Sequence, residues 1–296
     1  MHLQWLDDVL ALLEEGNLSR AAARHNITQP AFSRRIRGFE EWLGVDVLER
    51  GTNRVEISRA LLSNEDEIRA LLNRLRELRT RIGQFDETRA TIEIAAQHAA
   101  TCSTFADMAL RARSRYPGLR FRVRAGNLSD CVSTFLRGDA HMLLCYETDN
   151  IGALRFGPEI RRGLWEHDYL VPVVGGALRY KVRDRGDVPA DTPAIAYPSD
   201  SYFGQVLLKN QRAFGTTGTE FDPFCVTAFT SGAREMVLSG LGIGWLPFSM
   251  IHHEIENGAL ISLANYYGQE RLIVAIYANQ ENELANMLLD LWTTAK

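Results

Sequence analysis

The residue types suited to reading a nucleic acid cluster between positions 28 and 37. Gln29 carries an amide that fits an adenine edge, and the Ser33 hydroxyl suits several bases. Pro30 and Ala31 offer apolar contact to a thymine methyl. Thr28, just ahead of them, is placed to bond a phosphate at a helix start, where free amides and the helix dipole favour anions. Arg34 suits guanine or phosphate, and Arg37, Arg50 and Arg54 suit phosphate. Residues 1–90 hold 14 Arg against 15 Asp and Glu, and the chain carries a net charge of −4. Yet residues 16–39 hold Arg20, Arg24, Arg34, Arg35 and Arg37 and no acid. Phosphates respond to that local field. The plain alternative for each arginine is a solvated surface charge.

A second set suits a small anion. Three segments are expected near strand ends and helix starts: Ala99-Ala100-Thr101, Ser199-Asp200-Ser201-Tyr202, and Thr230-Ser231, with His98 an additional candidate. Hydroxyls and free amides at such places bind anions. The competing reading makes Thr101, Ser201 and Thr230 helix caps only, and His98 structural. Cys102, expected near the first helix start, is a candidate redox sensor or, with His98, a nucleophile and base. A buried inert cysteine is the alternative. A nucleophile elbow, a phosphate loop and an HExxH motif are all missing from the sequence, so binding is favoured over catalysis. His252-His253 lacks a third ligand at any metal spacing, and neither metal nor cofactor is expected.

The elements that position these residues follow from periodicity. Leu3, Leu6, Val9, Leu10 and Leu13 form a helical stripe. Residues 19–25 read as a short helix capped by Ser19, and Asn26-Ile27 as a turn. Thr28 then caps a longer helix with Phe32, Ile36, Phe39 and Leu43 on its apolar face, closed by Gly44. Two helices about a tight turn predict a helix-turn-helix, and residues 45–58 predict a wing. Residues 59–86 read as one long helix. Leu61, Ile68, Leu75 and Ile82 recur every seven positions, as do Asn64, Leu71, Leu78 and Phe85, the seam of a coiled coil. Self-pairing is favoured over packing on its own domain, and two paired heads imply an imperfectly palindromic operator. From Thr91 strands and helices alternate, predicting a mostly parallel sheet with helices on both faces.

Composition bounds the rest. At 296 residues about two domains are expected. With 46% hydrophobic and 24% charged residues, a disordered or disulfide-dense chain is excluded. No apolar run approaches a membrane span, the start lacks a basic secretory leader, and the four cysteines form no CxxC, so cytoplasmic reduced thiols are expected.

The sequence resembles the LysR-type transcriptional regulators. At the front the likeness rests on Ala21-Ala22-Ala23, Thr28-Gln29-Pro30-Ala31-Phe32-Ser33-Arg34-Arg35-Ile36, Glu40, Leu43-Gly44-Val45 and Arg50. At the back it rests on Gly240-Leu241-Gly242-Ile243-Gly244-Trp245-Leu246-Pro247. Ser199 to Gly204 and Gly242 to Pro247 look most like hypochlorite-responsive members. Departures are Ile57-Ser58-Arg59-Ala60-Leu61, where the family usually has Leu-Thr-x-x-Gly, and Gly138-Asp139-Ala140-His141. The methionines that oxidation sensing needs are also missing: Phe203 follows Tyr202, and Gly232 follows Ser231.

The resemblance implies an α/β chain of three parts. They are a winged helix-turn-helix at 1–58, a coiled-coil linker helix at 59–90, and a two-lobed periplasmic-binding-protein-like effector domain at 91–296. Lobe one would hold about 91–162 and 268–296, and lobe two about 163–267. It further implies a DNA-binding transcription factor that senses a small, anionic effector, or an oxidant without a conventional ligand. The expected partners are double-stranded DNA, RNA polymerase and the chain itself, as homodimer or homotetramer. Leu61, Ile68, Leu71, Leu75, Leu78 and Ile82 are the expected dimerisation residues.

Overall fold

The computed structural model describes residues 3–50, 55–83, 90–210, 212 and 223–293. The chain falls into two compact units, residues 1–87 and 88–296. In the first, helices α1 (Leu3–Glu15), α2 (Leu18–Arg24) and α3 (Gln29–Leu43) precede an antiparallel hairpin of β1 (Leu48–Arg50) and β2 (Val55–Ile57). Apolar residues at steps of three and four put Leu6, Val9, Leu10, Phe32, Ile36 and Phe39 into one core with Ala21 and Ala22. Asn17, not Ser19, caps α2: its side chain accepts from the amides of Ser19 at 2.8 Å and Arg20 at 3.3 Å. An N-cap side chain reaches two and three residues ahead, which places the cap before Leu18. Gly44 closes α3 at φ 78°, a left-handed conformation that glycine adopts without a Cβ clash.

The long helix expected over 59–86 is two helices, α4 (Arg59–Ser63) and α5 (Glu65–Gly83). They part at Asn64, the polar member of the heptad series, whose side-chain amide donates to the Ala60 carbonyl at 2.8 Å. Such local bonding offers the backbone an alternative to the helix ladder. The seam divides as well. Leu61, Ile68 and Leu75 pack on the helix-turn-helix core beside Leu72, which belongs to neither heptad series. Those three expected dimerisation residues therefore contact the core of their own unit, with Leu61 buried and Ile68 and Leu75 partly buried against it. Leu71, Leu78 and Ile82 remain exposed. Phe85 and the wing tip with Arg54 lie outside the described residues.

The second unit opens with β3 (Thr91–Gln97), α6 (His98–Ser103), α7 (Phe105–Arg115), β4 (Arg120–Gly126), α8 (Leu128–Leu136) and β5 (Met142–Glu147). The long β6 (Ile160–Gly175) leads to β7 (Ala194–Ala196), α9 (Tyr202–Lys209), β8 (Pro223–Val226), α10 (Thr230–Leu238) and β9 (Ile243–Pro247). Then come α11 (His252–Glu256), β10 (Leu260–Ser262), α12 (Ala264–Tyr267), β11 (Glu270–Asn279) and α13 (Glu283–Thr293). Among the described residues the sheet order is β4-β3-β5-β11-β6-β9-β7-β8, with β10 also on β6.

The sheet is mixed rather than mostly parallel. β3, β4 and β5 are parallel, as are β7, β8 and β9. Between them β6 and β11 run antiparallel to each other along residues 160–170 and 270–279. The chain leaves the first parallel set on β6 and returns on β11, so these neighbours must run in opposite directions. Period-two alternation sorts the faces. Ile92, Ile94, Met142, Leu144, Val274 and Ile276 pack with Met108, Leu288 and Trp292, while Ala95, Leu143, Cys145, Ala275 and Tyr277 face Cys131 and Phe135 of α8.

Substitution separates the two faces of α5. Leu72→Ala removes a side chain only 1% exposed and is expected to cost about 2–5 kcal/mol of first-unit stability. Leu71→Ala, at 45% exposure, is expected to stay within about 0.5 kcal/mol. Denaturant unfolding of dilute full-length protein checks both.

Candidate DNA-reading helix and effector cleft

The free cations on α3 are fewer than the sequence suggests, because α1 supplies acids from outside the acid-free stretch. Arg24 pairs with Glu14 at 2.5 Å and lies 3.5 Å from Glu15, and Arg20 donates to the Glu15 carbonyl at 2.8 Å. Arg35 lies 3.5 Å from Asp8. Among the described residues Arg34 and Arg37 have no ion-pair partner, and both are exposed. Arg34 Nε donates only to its own helix, to the Pro30 carbonyl at 3.4 Å. Thr28, Gln29 and Pro30 are exposed at the same end, with Ala31 and Ser33 half-buried. Thr28 takes the N-cap position with an extended backbone but makes no side-chain cap bond, so the leading amides of α3 are open. The face thus combines open amides, Gln29, Ser33 and two free guanidiniums. Glu40 steers the chain into the wing by accepting from the amides of Val47 at 2.9 Å and Leu48 at 3.1 Å. Arg50 ends β1, and its side chain lies outside the described set.

In the second unit the expected segments converge in part. A cleft is lined by Gln97, His98, Ala99, Gly126, Asn127, Leu128, Tyr197, Ser201, Tyr202, Phe203, Ala228 and Thr230. His98, Ala99, Ser201, Tyr202 and Thr230 of the sequence-based set line it. Ala100 is buried core, Ser199 is exposed on the loop before α9, and Thr101 and Ser231 stand off the wall. The Thr101 hydroxyl donates to the Gln97 carbonyl at 3.2 Å. Sequence reading missed the Gly126-Asn127-Leu128 segment. Its only signal was Asn after a strand and before a helix, which is a common cap pattern.

The helix starts differ in what they leave open. Ser201 is a cap: its hydroxyl accepts from the Gly204 amide at 3.2 Å and donates to the Pro198 carbonyl at 2.7 Å. A Cβ on Gly204 would sit 1.9 Å from that carbonyl oxygen, so only glycine permits the close turn. Neither α8 nor α10 has a side-chain cap bond, so both present leading amides. The Tyr197 hydroxyl donates to the Trp245 carbonyl at 2.9 Å. Burial pushes the Tyr197 and Tyr202 phenols well above their usual range, so both stay neutral donors. Among the described lining residues none is Arg or Lys, and His98 alone of them can carry positive charge. Its ring meets Phe229 edge-on, 5.4 Å between centroids. The cleft holds about 30 Å³ open to a water-sized sphere, room for about one to three waters or a small anion.

Beneath the cleft lies a buried network. Asp168 on β6 is 3% exposed. Its carboxylate accepts from the amides of Tyr169 at 2.7 Å and Ser249 at 3.0 Å, the Ser249 hydroxyl at 2.5 Å and the Tyr146 hydroxyl at 3.1 Å. Tyr146 donates its amide to the Gln97 side chain at 2.6 Å, and its ring touches Phe203 at 5.5 Å. Two cleft-wall residues thus rest on Tyr146.

The cysteines and histidines fall differently from expectation. Cys102 is exposed in the last turn of α6, because that helix begins at His98. Burial pushes the Cys131 thiol up to about 11 and raises Cys145 well above its usual range. The His252 and His253 rings lie 3.9 Å apart. Among the described residues no cluster of three metal-ligating side chains occurs, and no helix is long and apolar enough to cross a membrane.

A helix-turn-helix with a wing, followed by a two-set α/β domain with a cleft between the sets, defines a ligand-responsive DNA-binding protein. The chain belongs to the LysR family of bacterial transcriptional regulators. Residues 3–60 match the bacterial regulatory helix-turn-helix of that family, and residues 85–293 match the LysR substrate binding domain. It is 28% identical over 277 residues to the HTH-type transcriptional regulator YjiE of Escherichia coli K12, covering 93% of this chain and 86% of that protein. Vibrio fischeri DarR in complex with DNA superposes with a TM-score of 0.63 at 22% identity, over 100% of this chain and 99% of that one. Full-length HypT from Salmonella typhimurium, a hypochlorite-specific regulator, does so with 0.65 at 24% identity, over 98% and 97%. Its bromide-bound regulatory domain gives 0.56 at 21%, over 70% of this chain and 96% of that one.

Removing the Tyr146 hydroxyl leaves Asp168 one donor short. Tyr146→Phe is expected to destabilise the second unit by about 1–2 kcal/mol, read by denaturant unfolding. Wild-type stability in that variant would show that the bond carries no weight.

Proposed function

We propose that this transcriptional regulator responds to a small monoanion held in the cleft. The observation that carries the reading is the convergence of the open starts of α8 and α10 on a cleft whose described lining residues include one histidine and no arginine or lysine. Open amides and the Thr230 hydroxyl satisfy one negative charge, whereas a dianion lacks a counter-charge there. HypT's regulatory domain, similar in fold, has been seen with bromide bound. We place lobe one at 91–162 with 268–296 and lobe two at 163–267, joined by β6 and β11. A ligand touching both walls binds the closed arrangement better, and that difference biases closure.

The chain acts in the cytoplasm as a regulator and not as an enzyme. It works as a homodimer or homotetramer whose exposed Leu71, Leu78 and Ile82 supply the pairing face, so its operator is an imperfect palindrome. Thr28, Gln29, Pro30, Ala31, Ser33 and Arg34 read the major groove. Arg37, Arg50 and Arg54 hold phosphates, and RNA polymerase is the further partner. Oxidant sensing is the second reading, favoured by the exposure of Cys102. Cys102→Ser that abolishes an oxidant response would select it.

Two outcomes are expected. Arg34→Ala weakens binding to duplexes enriched from a random library by the wild-type chain by about 1–3 kcal/mol, measured by anisotropy; unchanged affinity would overturn this docking. Bromide, nitrate or formate at 100 times its dissociation constant raises full-length stability by about 2.7 kcal/mol, and Thr230→Val weakens that shift. Sulfate, tested alongside, should give none.

A further inference from the structure

A fully buried carboxylate ties together the three helices of the DNA-binding unit. Asp8 on α1 is 0% exposed, within an otherwise apolar core. Its Oδ1 lies 2.8 Å from Nδ1 of His25 and 3.5 Å from a terminal guanidinium nitrogen of Arg35. His25 sits in the turn between α2 and α3, next to Asn26 at φ 54°, and its ring meets Phe32 edge-on at 5.8 Å. Asp7 is the further charged group that acts on Asp8. Burial raises the Asp8 carboxyl above its usual range, while Arg35 and then His25 pull it back down.

Arg35 follows Arg34 by one residue, so it points about 100° around α3 from the exposed face that carries Arg34. Its side chain is 31% exposed, held inward yet open to solvent on its outer side. A guanidinium so placed reaches either the buried carboxylate or an anion at the flank of the reading helix, but not both. We propose that Asp8 is a positioning residue of the DNA-reading unit: it withholds Arg35 from the DNA backbone and leaves phosphate contact to its neighbours on α3. Removing the charge of Asp8 releases Arg35, and the nearest strong anion in a complex is a phosphate.

The salt dependence of binding reads this directly, because each phosphate neutralised adds about 0.9 to the slope of log K against log salt. The experiment uses full-length chain and a labelled duplex of arbitrary sequence between about 50 and 200 mM salt, with melting curves to confirm folding. Asp8→Asn is expected to steepen the slope by about 0.9 per reading unit bound. Asp8→Asn/Arg35→Gln is expected to return it to wild type, and Arg35→Gln alone to leave it unchanged. A loss of packing alone would not produce a gain that the second substitution cancels. An unchanged slope in folded Asp8→Asn overturns the proposal, as does a steeper slope that persists in the double variant. A shallower slope in Arg35→Gln alone also overturns it, since Arg35 would then already contact phosphate. If Asp8→Asn does not fold, Asp8→Ser with and without Arg35→Gln takes its place, and the same gain and cancellation are required.

Discussion

The carboxylate of Asp168, buried where the chain crosses from one parallel strand set to the other, is the constraint on which the second unit rests. A buried charge is tolerated only when its lone pairs are met. Here the donors come from both sides of the crossing: Tyr146 from β5, and Ser249 from the turn after β9. The crossing strands also shift register between Val274 and Ala275, opposite Trp165, which bends the ribbon at this level. Any opening of the sets must break or re-aim bonds to Asp168. Gln97 and Phe203, both in the cleft wall, lean on Tyr146, so the walls and the crossing share one residue.

A similar economy of charge shapes the first unit. The five arginines of residues 16–39 look like one basic patch in sequence. Folding brings Asp8, Glu14 and Glu15 of α1 against Arg24 and Arg35 and ties Arg20 to the Glu15 carbonyl, leaving Arg34 and Arg37 as the cations of α3 without an ion pair among the described residues. Two cations beside open amides give direction, where five would give an undirected attraction to any phosphate. The net charge of −4 is compatible with this because the field is local.

What the sequence disclosed follows the same physics. Helices with a full apolar stripe, such as α1 and α3, were legible because their burial is set by local periodicity. The parallel character of the centre was misread, since strand direction depends on which neighbours a returning chain meets, and no local pattern encodes that. Leu61, Ile68 and Leu75 satisfy a coiled-coil pattern and a packed-helix pattern equally, and their contact with the core beside Leu72 shows only in three dimensions. Among cleft residues, Ser201, Tyr202 and Thr230 were visible from their place before helices. Gln97, Tyr197 and Phe203 were not, because a buried strand-end amide and two core aromatics carry no local mark of a cavity.

The size of the cleft limits what its ligand can do. Tiny ligands reach at most about 1.5 kcal/mol per non-hydrogen atom, so a four-atom anion gains no more than about 6 kcal/mol. Moving a two-state equilibrium from 1:99 to 99:1 takes about 5.5 kcal/mol of difference in affinity between the states. A ligand of this size could throw such a switch only if nearly all its binding energy came from the closed state. The lining meets that demand in form: His98, Asn127 and Leu128 stand on one wall, and Tyr197, Phe203 and Thr230 on the other. Neither wall alone surrounds an anion. On the proposed reading, a small effector held in this cleft acts by contacts that exist only when both walls are present, and the Asp168 crossing, which bonds to both strand sets, then belongs to the response along with the residues that touch the ligand.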